Sequence, residues 1–340
     1  MGFVPKRIKR YTGQNVFMTQ KQLSNQYEVE LHHQILKVCH KTELNLHDNL
    51  KGPKIYTNYQ RVALIVLFTR SRKALRDFCN ELLESKWPGW LGLKDLPTKS
   101  TLHRWLKKFD LNWLRQFLNT TVTEQKPKVM AIDATGIDSF HRSRHYERRV
   151  KECGVHKFHV PYAKADILVD TKNKLVYDFV LRTKPRHDVL GAETIFKRLK
   201  HIPETILGDK GYDSEKLHKL LFEKSVIFHA PVRDFKVKKP RGKHRRRCVQ
   251  PHPEQGMRSI AESVIRSLKV RLRNLRSNKH WMKKRELGWH VITYNLEKIT
   301  QQTKTYLILL LRAITIWDRA IISKRFYKQK NNYNYELYRR

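Results

Sequence analysis

Hydrophobic positions change period partway along this 340-residue chain. From Tyr59 the pattern is helical. Val62, Leu64, Ile65, Val66, Leu67 and Phe68 form a dense apolar run, and Leu75, Phe78, Cys79, Leu82 and Leu83 recur at i, i+3, i+4, i+7 and i+8, one face of a helix. Trp87-Pro88-Gly89 stops that helix. Pro97 and Ser100 introduce another, with Leu102, Trp105, Leu106 and Phe109 inward and Thr101, His103, Arg104, Lys107 and Lys108 outward. Three short helices with a basic outer face suit helix-turn-helix DNA binding; an ordinary solvated face is the equal alternative. Residues 1–54 are polar and give weak signals, and Thr121 to Lys128 reads as a linker.

Beyond the linker, short apolar runs replace the helical period. Val129 to Ile132 is a buried strand ending at Asp133; Ala165 to Val169 and Leu175 to Leu181 are two more, joined by a turn at Thr171 to Lys174. Val189 to Leu199 is a helix, Thr205 to Gly208 a short strand ending at Asp209, Ser214 to Glu223 a helix, and Val226 to Ala230 a fifth strand. A long helix is expected over Gly256 to Asn278. The pattern predicts an α/β domain preceded by an all-α one, and the length accommodates two domains.

Composition narrows the class. With 71 Lys+Arg against 31 Asp+Glu, the net charge is +40. Such a surface repels itself unless a polyanion neutralises it, and nucleic acid is the expected partner. The 40% hydrophobic content excludes a disordered chain. Lys236 to Arg247 holds eight basic residues and no acid, with Pro240 and Gly242 breaking regular structure, and reads as an arm that lies on phosphates or as a solvated loop. Cys39, Cys79, Cys153 and Cys248 are isolated and lack zinc-ligand or disulfide-framework spacing. Tyr306 to Trp317 is apolar but too short for a membrane span and contains Arg312, so a buried helix is expected. No signal peptide is evident, and an intracellular protein is expected.

In so basic a chain, an acid at the end of an apolar strand is conspicuous, and Asp133 and Asp209 both hold that position. Strand ends of an open α/β sheet converge on a cleft. Two carboxylates there repel each other unless a cation lies between them, and hard oxygen donors suit Mg2+ or Mn2+. The alternative is that each caps a turn or helix, as expected for Asp213. At 100° per residue with Ala261 as zero, Val264, Ile265, Leu268, Leu272 and Leu275 form one stripe of the long helix. Arg258, Glu262, Arg266, Lys269, Arg273 and Arg276 form a second, in which Glu262 is the sole acid. An Arg258–Glu262–Arg266 ion-pair ladder, each pair worth about 0.2–0.5 kcal/mol, accounts for it as well as a metal does. His280, Trp281, Lys283 and Lys284 combine an aromatic with cations and suit stacking of a displaced base, although such a Trp is more often packed.

Three blocks resemble the DDE transposases of prokaryotic insertion sequences, the insertion sequence four and five superfamily. Met130-Ala131-Ile132-Asp133-Ala134-Thr135-Gly136-Ile137 is similar to the block around the first catalytic Asp, and Leu207-Gly208-Asp209-Lys210-Gly211-Tyr212-Asp213-Ser214 to the second. The third, Arg, three residues, Glu, six residues, Lys, is met by Arg258, Glu262 and Lys269; where the family has Tyr three places earlier, this chain has Gln255. Arg186-His187-Asp188, Tyr294-Asn295-Leu296 and Leu96 to Leu102 resemble lesser family features. The short spacings between the acids leave little room for a β-strand insertion and point to the insertion sequence five branch.

The resemblance implies a ribonuclease H-like catalytic domain over 128–300, a five-stranded mixed sheet with helices on both faces. A helix-turn-helix-like DNA-binding domain is expected over 55–122 and a basic, Tyr-rich tail over 301–340. It implies that Asp133, Asp209 and Glu262 hold two Mg2+ or Mn2+ ions for phosphodiester hydrolysis and 3′-hydroxyl strand transfer. Arg258 and Lys269 would contact phosphates, with Arg266, Arg273, Arg276, Lys236, Lys238, Lys239, Arg241, Arg104 and Lys107 as further DNA contacts and His187, Asp188 and Gln255 as accessory candidates. Partners would be terminal inverted repeats and target DNA, bound by a homodimer in a cytoplasmic, nucleoid-associated setting without membrane. A transposase-derived DNA-binding protein without activity, an RNA-binding protein and a nuclease with the same metal site are the rival classes. The intact acidic triad weighs against the first, and the absence of an aromatic RNA-binding motif against the second.

Overall fold

The computed structural model describes residues 20–48, 54–123, 126–140, 163–183, 187–233 and 241–305. The chain divides into two compact units, one of Gln34–Ile299 and one of Met1–His33 with Thr300–Arg340. Helix α1, Gln20–Lys41, lies in the segment whose sequence gave weak signals. Its apolar positions are few, and Leu31, Ile35, Val38 and Cys39 are buried. In the first unit α2 (Asn58–Ser71), α3 (Leu75–Glu84), α4 (Trp87–Trp90), α5 (Lys99–Lys108) and α6 (Leu111–Thr121) follow.

Local chemistry sets the helix boundaries. Thr57 and Gln60 form a reciprocal capping box at the start of α2, and Thr98 and Asp110 cap α5 and α6 through their side chains. Trp87-Pro88-Gly89 does not simply stop α3. Ser85 ends that helix, and Pro88 sits in the first turn of α4, where its missing N–H costs nothing.

The sheet consists of β1 (Val129–Ser139), β2 (Ala163–Asp170), β3 (Val176–Arg182), β4 (Thr205–Leu207), β5 (Ile227–His229) and β6 (Asn274–Leu275). Its order is β3-β2-β1-β4-β5, with β6 pairing β1. β1 is antiparallel to β2 and parallel to β4, so the sheet is mixed. The five expected strands are present with boundaries shifted by a residue or two, except that β1 runs on through Asp133 to Ser139. That extension is polar and half-buried, which is why the apolar run ended early; it is held by antiparallel pairing as far as Ile137–Ala163.

Helices α7 (Asp188–Lys197) and α8 (Glu215–Phe222) cover one face, where Met130, Ile132, Leu168, Ile195, Phe196, Ile206, Leu217 and Leu221 form the core. Helix α9 (Ser259–Leu272) packs on β1 and β2. Residues 280–305 form α10. Its Asn295 is fully buried and acts as a surrogate strand for the edge of β3, accepting from the Val176 N–H (2.9 Å) and donating to the Val176 carbonyl (2.8 Å) and to Thr121 (3.0 Å). The expected long helix is shorter than its pattern: it begins at Ser259 after a 3-10 turn, Gln255–Arg258, and ends at Leu272. Arg273 has φ 54°, outside the helical range, and Asn274–Leu275 then pair with Asp138–Ser139 at the far end of β1. The strand pairing overrides a helical period that continued through Leu275.

Cys39, Cys79 and Cys248 are free thiols. Among the described residues no helix is long and apolar enough to cross a membrane; Tyr306 to Trp317 lies outside them.

Two stability predictions follow from buried polar groups. Asp166, fully buried on β2, takes a bidentate pair from Arg182 (2.7 and 2.8 Å), and a Cβ added at Gly191 would lie 2.0 Å from its Oδ2. Gly191→Ala should cost about 2–3 kcal/mol in urea unfolding. His218 is buried with an unpartnered Nε2, and burial pushes its imidazole down to about 4. The unfolded chain takes up that proton near pH 6.5, so stability declines as pH falls from about 6.5 toward 4, by about 3 kcal/mol in total. Unfolding midpoints across that range should show the decline, and His218→Leu should remove this share of it, leaving that of His290, which burial pushes down to about 3.

Candidate active site

The site begins with strand register. Val129, Met130 and Ala131 pair in parallel with Thr205, Ile206 and Leu207, a constant offset that sets Asp133 level with Asp209. Met130 and Ile132 face the α7–α8 core, so by strand alternation Asp133 faces the opposite side. β4 ends at Leu207 while β1 continues, and the chain turns at Asp209 into a 3-10 turn, Lys210–Tyr212. Asp209 caps this turn by accepting from the Gly211 N–H (2.8 Å), and Asp133 accepts from the Ala134 N–H (2.9 Å). Each therefore has one carboxylate oxygen on a backbone donor, and neither has a cationic partner within salt-bridge distance among the described residues. The capping role expected of a turn Asp is real for Asp209 and occupies only half of its acceptor capacity.

Glu262 supplies the third acid from the first turn of α9. It is exposed, and Arg258 Nη2 lies 2.7 Å from its Oε1. One rung of the ion-pair ladder is present; among the described residues no ion pair joins Glu262 to Arg266. Burial raises the Asp133 carboxyl above the ordinary Asp range; the Ala134 N–H and Arg258 pull it down, while the charges of Asp209 and Glu262 push it further up. Asp133 is thus within electrostatic reach of Asp209, Glu262 and Arg258. Among the described residues, however, no three His, Cys, Asp or Glu side chains are close enough to hold a metal ion.

The cations divide into groups. Arg266 and Lys269 are exposed along α9. Arg273 and Arg276 leave the helical stripe expected of them, because α9 ends before both; Arg276 instead donates to the carbonyls of Arg72 (2.6 Å) and Lys73 (2.8 Å). Arg104 and Lys107 are exposed on α5, and Arg241 is exposed. Lys236, Lys238 and Lys239 lie outside the described residues.

Supporting contacts gather around the Asp209 turn. Gln255 does not project outward as a substitute for Tyr. Its Nε2 donates to the Gly208 carbonyl (3.2 Å), and its Oε1 faces His229 Nδ1 (2.9 Å), so it ties the turn before α9 to the residue before Asp209. Arg233 grips the same turn, donating to the carbonyls of Lys210 (2.6 Å) and Gly211 (2.5 Å), and its Nη1 lies 3.2 Å from His187 Nε2. Asp188 pairs with Lys164 and Arg182 and belongs to the Asp166 network, which reaches the turn through the Tyr212 hydroxyl (3.3 Å). Asp213 does more than cap, for it pairs with Arg245 and accepts from the Arg233 N–H (3.0 Å). Sequence reasoning passed over Arg233, His229 and Asp166. The last two carried a signal, a His closing one apolar strand and an acid inside another; Arg233 carried none.

Comparison with known proteins places these residues in context. The chain shares features with solved structures that include a piggyBac transposase synaptic complex with hairpin DNA, at 11% identity and a TM-score of 0.38, covering 83% of this chain and 76% of that one. No curated protein matches its sequence. The family profile described as "Transposase DDE domain" matches residues 124–296, just over half the chain and a span containing Asp133, Asp209, Glu262, Arg258, Lys269 and Gln255. The chain belongs to the transposase DDE domain family.

Proposed function

We propose that the chain is a DNA transposase of the insertion sequence four and five superfamily, closer to the insertion sequence five branch. It would cleave phosphodiesters at the terminal inverted repeats of its own element and join the freed 3′-hydroxyls to target DNA. The observation that carries this reading is the electrostatic coupling of Asp133 with Asp209, Glu262 and Arg258 inside the matched region.

The donor set fits a divalent cation. Three carboxylates offer hard oxygens, and Asp133 and Asp209 each keep one oxygen free of backbone donors. The three are not gathered in this structure, and Glu262 would join Asp133 and Asp209 on leaving Arg258. Two Mg2+ or Mn2+ ions held by Asp133, Asp209 and Glu262 would supply Lewis-acid stabilisation of the attacking and leaving oxygens. The protein's own residues do the rest. A DNA phosphate arriving at Arg258 competes for the guanidinium and frees Glu262. Lys269 and Arg266 hold neighbouring phosphates along α9, and Gln255, Arg233 and His187 fix the turn that bears Asp209. The mixed sheet is read as ribonuclease H-like, and the helices of 55–122 as a helix-turn-helix-like DNA-binding region presenting Arg104 and Lys107. Two ends cut together require a homodimer, acting in the cytoplasm at the nucleoid.

The test is purified protein with labelled inverted-repeat DNA, a plasmid target and Mg2+. Joined products should form, and Asp133→Asn, Asp209→Asn or Glu262→Gln should each reduce them at least about a thousandfold. Cleavage without joining would make the protein a nuclease, and binding without either would make it an inactive derivative. Because the Asp133 carboxyl is raised, and only its deprotonated form binds a cation, the cleavage rate should fall on acidification from a pH above the ordinary carboxylate range. Gln255→Ala should slow cleavage by about 10–100-fold with DNA affinity unchanged in a mobility-shift titration.

A further inference from the structure

A cavity of about 520 Å³ lies at the far end of α9, between that end, the start of α10 and the α2–α3 and α5 region, all within Gln34–Ile299. Leu272 and Glu262 are ten residues apart on one helix, so the cavity opens about 15 Å from the acidic site. That span equals about four steps of a DNA strand at about 3.4 Å each, and the exposed cations Arg266, Lys269 and Arg273 lie along it.

The lining has two chemical parts. The floor is apolar and aromatic: Phe68, Leu106, Leu272, Met282, Trp281 and Trp289. Trp281 is 41% exposed, and the Arg285 guanidinium lies 4.6 Å from its ring centroid, on one face of the indole. The rim is cationic: Lys73 and Arg271 are ion-paired with Glu81 and Glu297, whereas the side chains of Arg72, Lys107, Arg273, Arg276 and Lys279 form no ion pair among the described residues. Glu286 is the sole acid among the described lining residues, and its two oxygens accept from the N–H groups of Arg276 (2.8 Å) and Ser277 (2.9 Å). The rim therefore presents uncompensated positive charge around an exposed aromatic surface.

We infer that this cavity binds an unpaired nucleotide of the DNA, its base on Trp281 and its flanking phosphates on the rim. A paired duplex presents phosphates outward and keeps its bases stacked, so it reaches the rim and leaves the floor empty. An unstacked base offers the π-face that an indole accepts regardless of sequence. A volume of this size suits a ligand of nucleotide dimensions, and a strand held at the acidic site along α9 delivers such a base there. The inference rests on the reading of the protein as DNA-binding and adds a second subsite to it.

The test uses the full chain without divalent ions, so that nothing is cut. Two duplexes of one sequence are compared, one fully paired and one carrying an unpaired 2-aminopurine. The unpaired duplex should bind about tenfold more tightly, with its fluorescence quenched. Trp281→Ala should abolish both the preference and the quenching while keeping paired-duplex affinity and thermal midpoint, and Trp281→Phe should restore most of the preference. Equal binding of the two duplexes, unchanged in Trp281→Ala, would overturn the inference alone. Failure to bind either duplex would overturn the DNA-binding reading itself. Tight binding of an acidic, aromatic-containing peptide that Trp281→Ala abolishes, without discrimination between duplexes, would give the cavity to a protein partner and also overturn the inference.

Discussion

The parallel register between β1 and β4 is the constraint on which the rest of the site depends. Pairing Val129 with Thr205 leaves Asp133 level with Asp209 however the loops between them are arranged. A slip of one residue would turn every side chain of β4 to the other face. It would turn Asp209 toward the α7–α8 core and set Gly208 or Lys210 level with Asp133. The core enforces the register: Met130 and Ile206 share one apolar cluster, which tolerates no exchange for a carboxylate.

Two like charges held at that point are costly, and the structure arranges cations and donors around them without neutralising them. Other acids of this basic chain are tied into ion pairs: Asp166 with Arg182, Asp178 with Arg198, and Asp213 with Arg245. Asp133 and Asp209 accept single backbone hydrogen bonds instead, and only the third acid, Glu262, holds an arginine. That distribution leaves a concentrated negative site within a positive surface. The charge that attracts the polyanion and the charge that repels it are therefore separated along one helix, with Glu262 at the first turn of α9 and uncompensated cations at the other end.

Much of this was legible in the sequence, for identifiable reasons. β1, β2 and β4 showed as apolar runs because their apolar residues are buried on both faces, and β3 and β5 showed although Val180 is half-buried and Ile227 exposed; α5 and α8 showed because one face of each is wet. Asp133, Asp209 and Glu262 stood out because acids are scarce and the three blocks resemble a known family. The end of α9 was illegible: Leu275 continues the helical stripe, and only the pairing of Asn274–Leu275 with β1 breaks it. α1 was illegible because its apolar stripe is sparse. The role of Gln255 was hidden as well, since its hydrogen bonds run to Gly208 and His229, residues distant in sequence and adjacent only across the folded site.

In the proposed mechanism Asp133, Asp209 and Glu262 form one cation site. The most direct measurement is Mn2+ binding by electron paramagnetic resonance on the DNA-bound protein, titrated for the wild type and for each single amide variant. Shared ligation predicts that Asp133→Asn, Asp209→Asn and Glu262→Gln each remove the tightly bound Mn2+ while DNA remains bound. Mn2+ binding unchanged in any one of the three would contradict it.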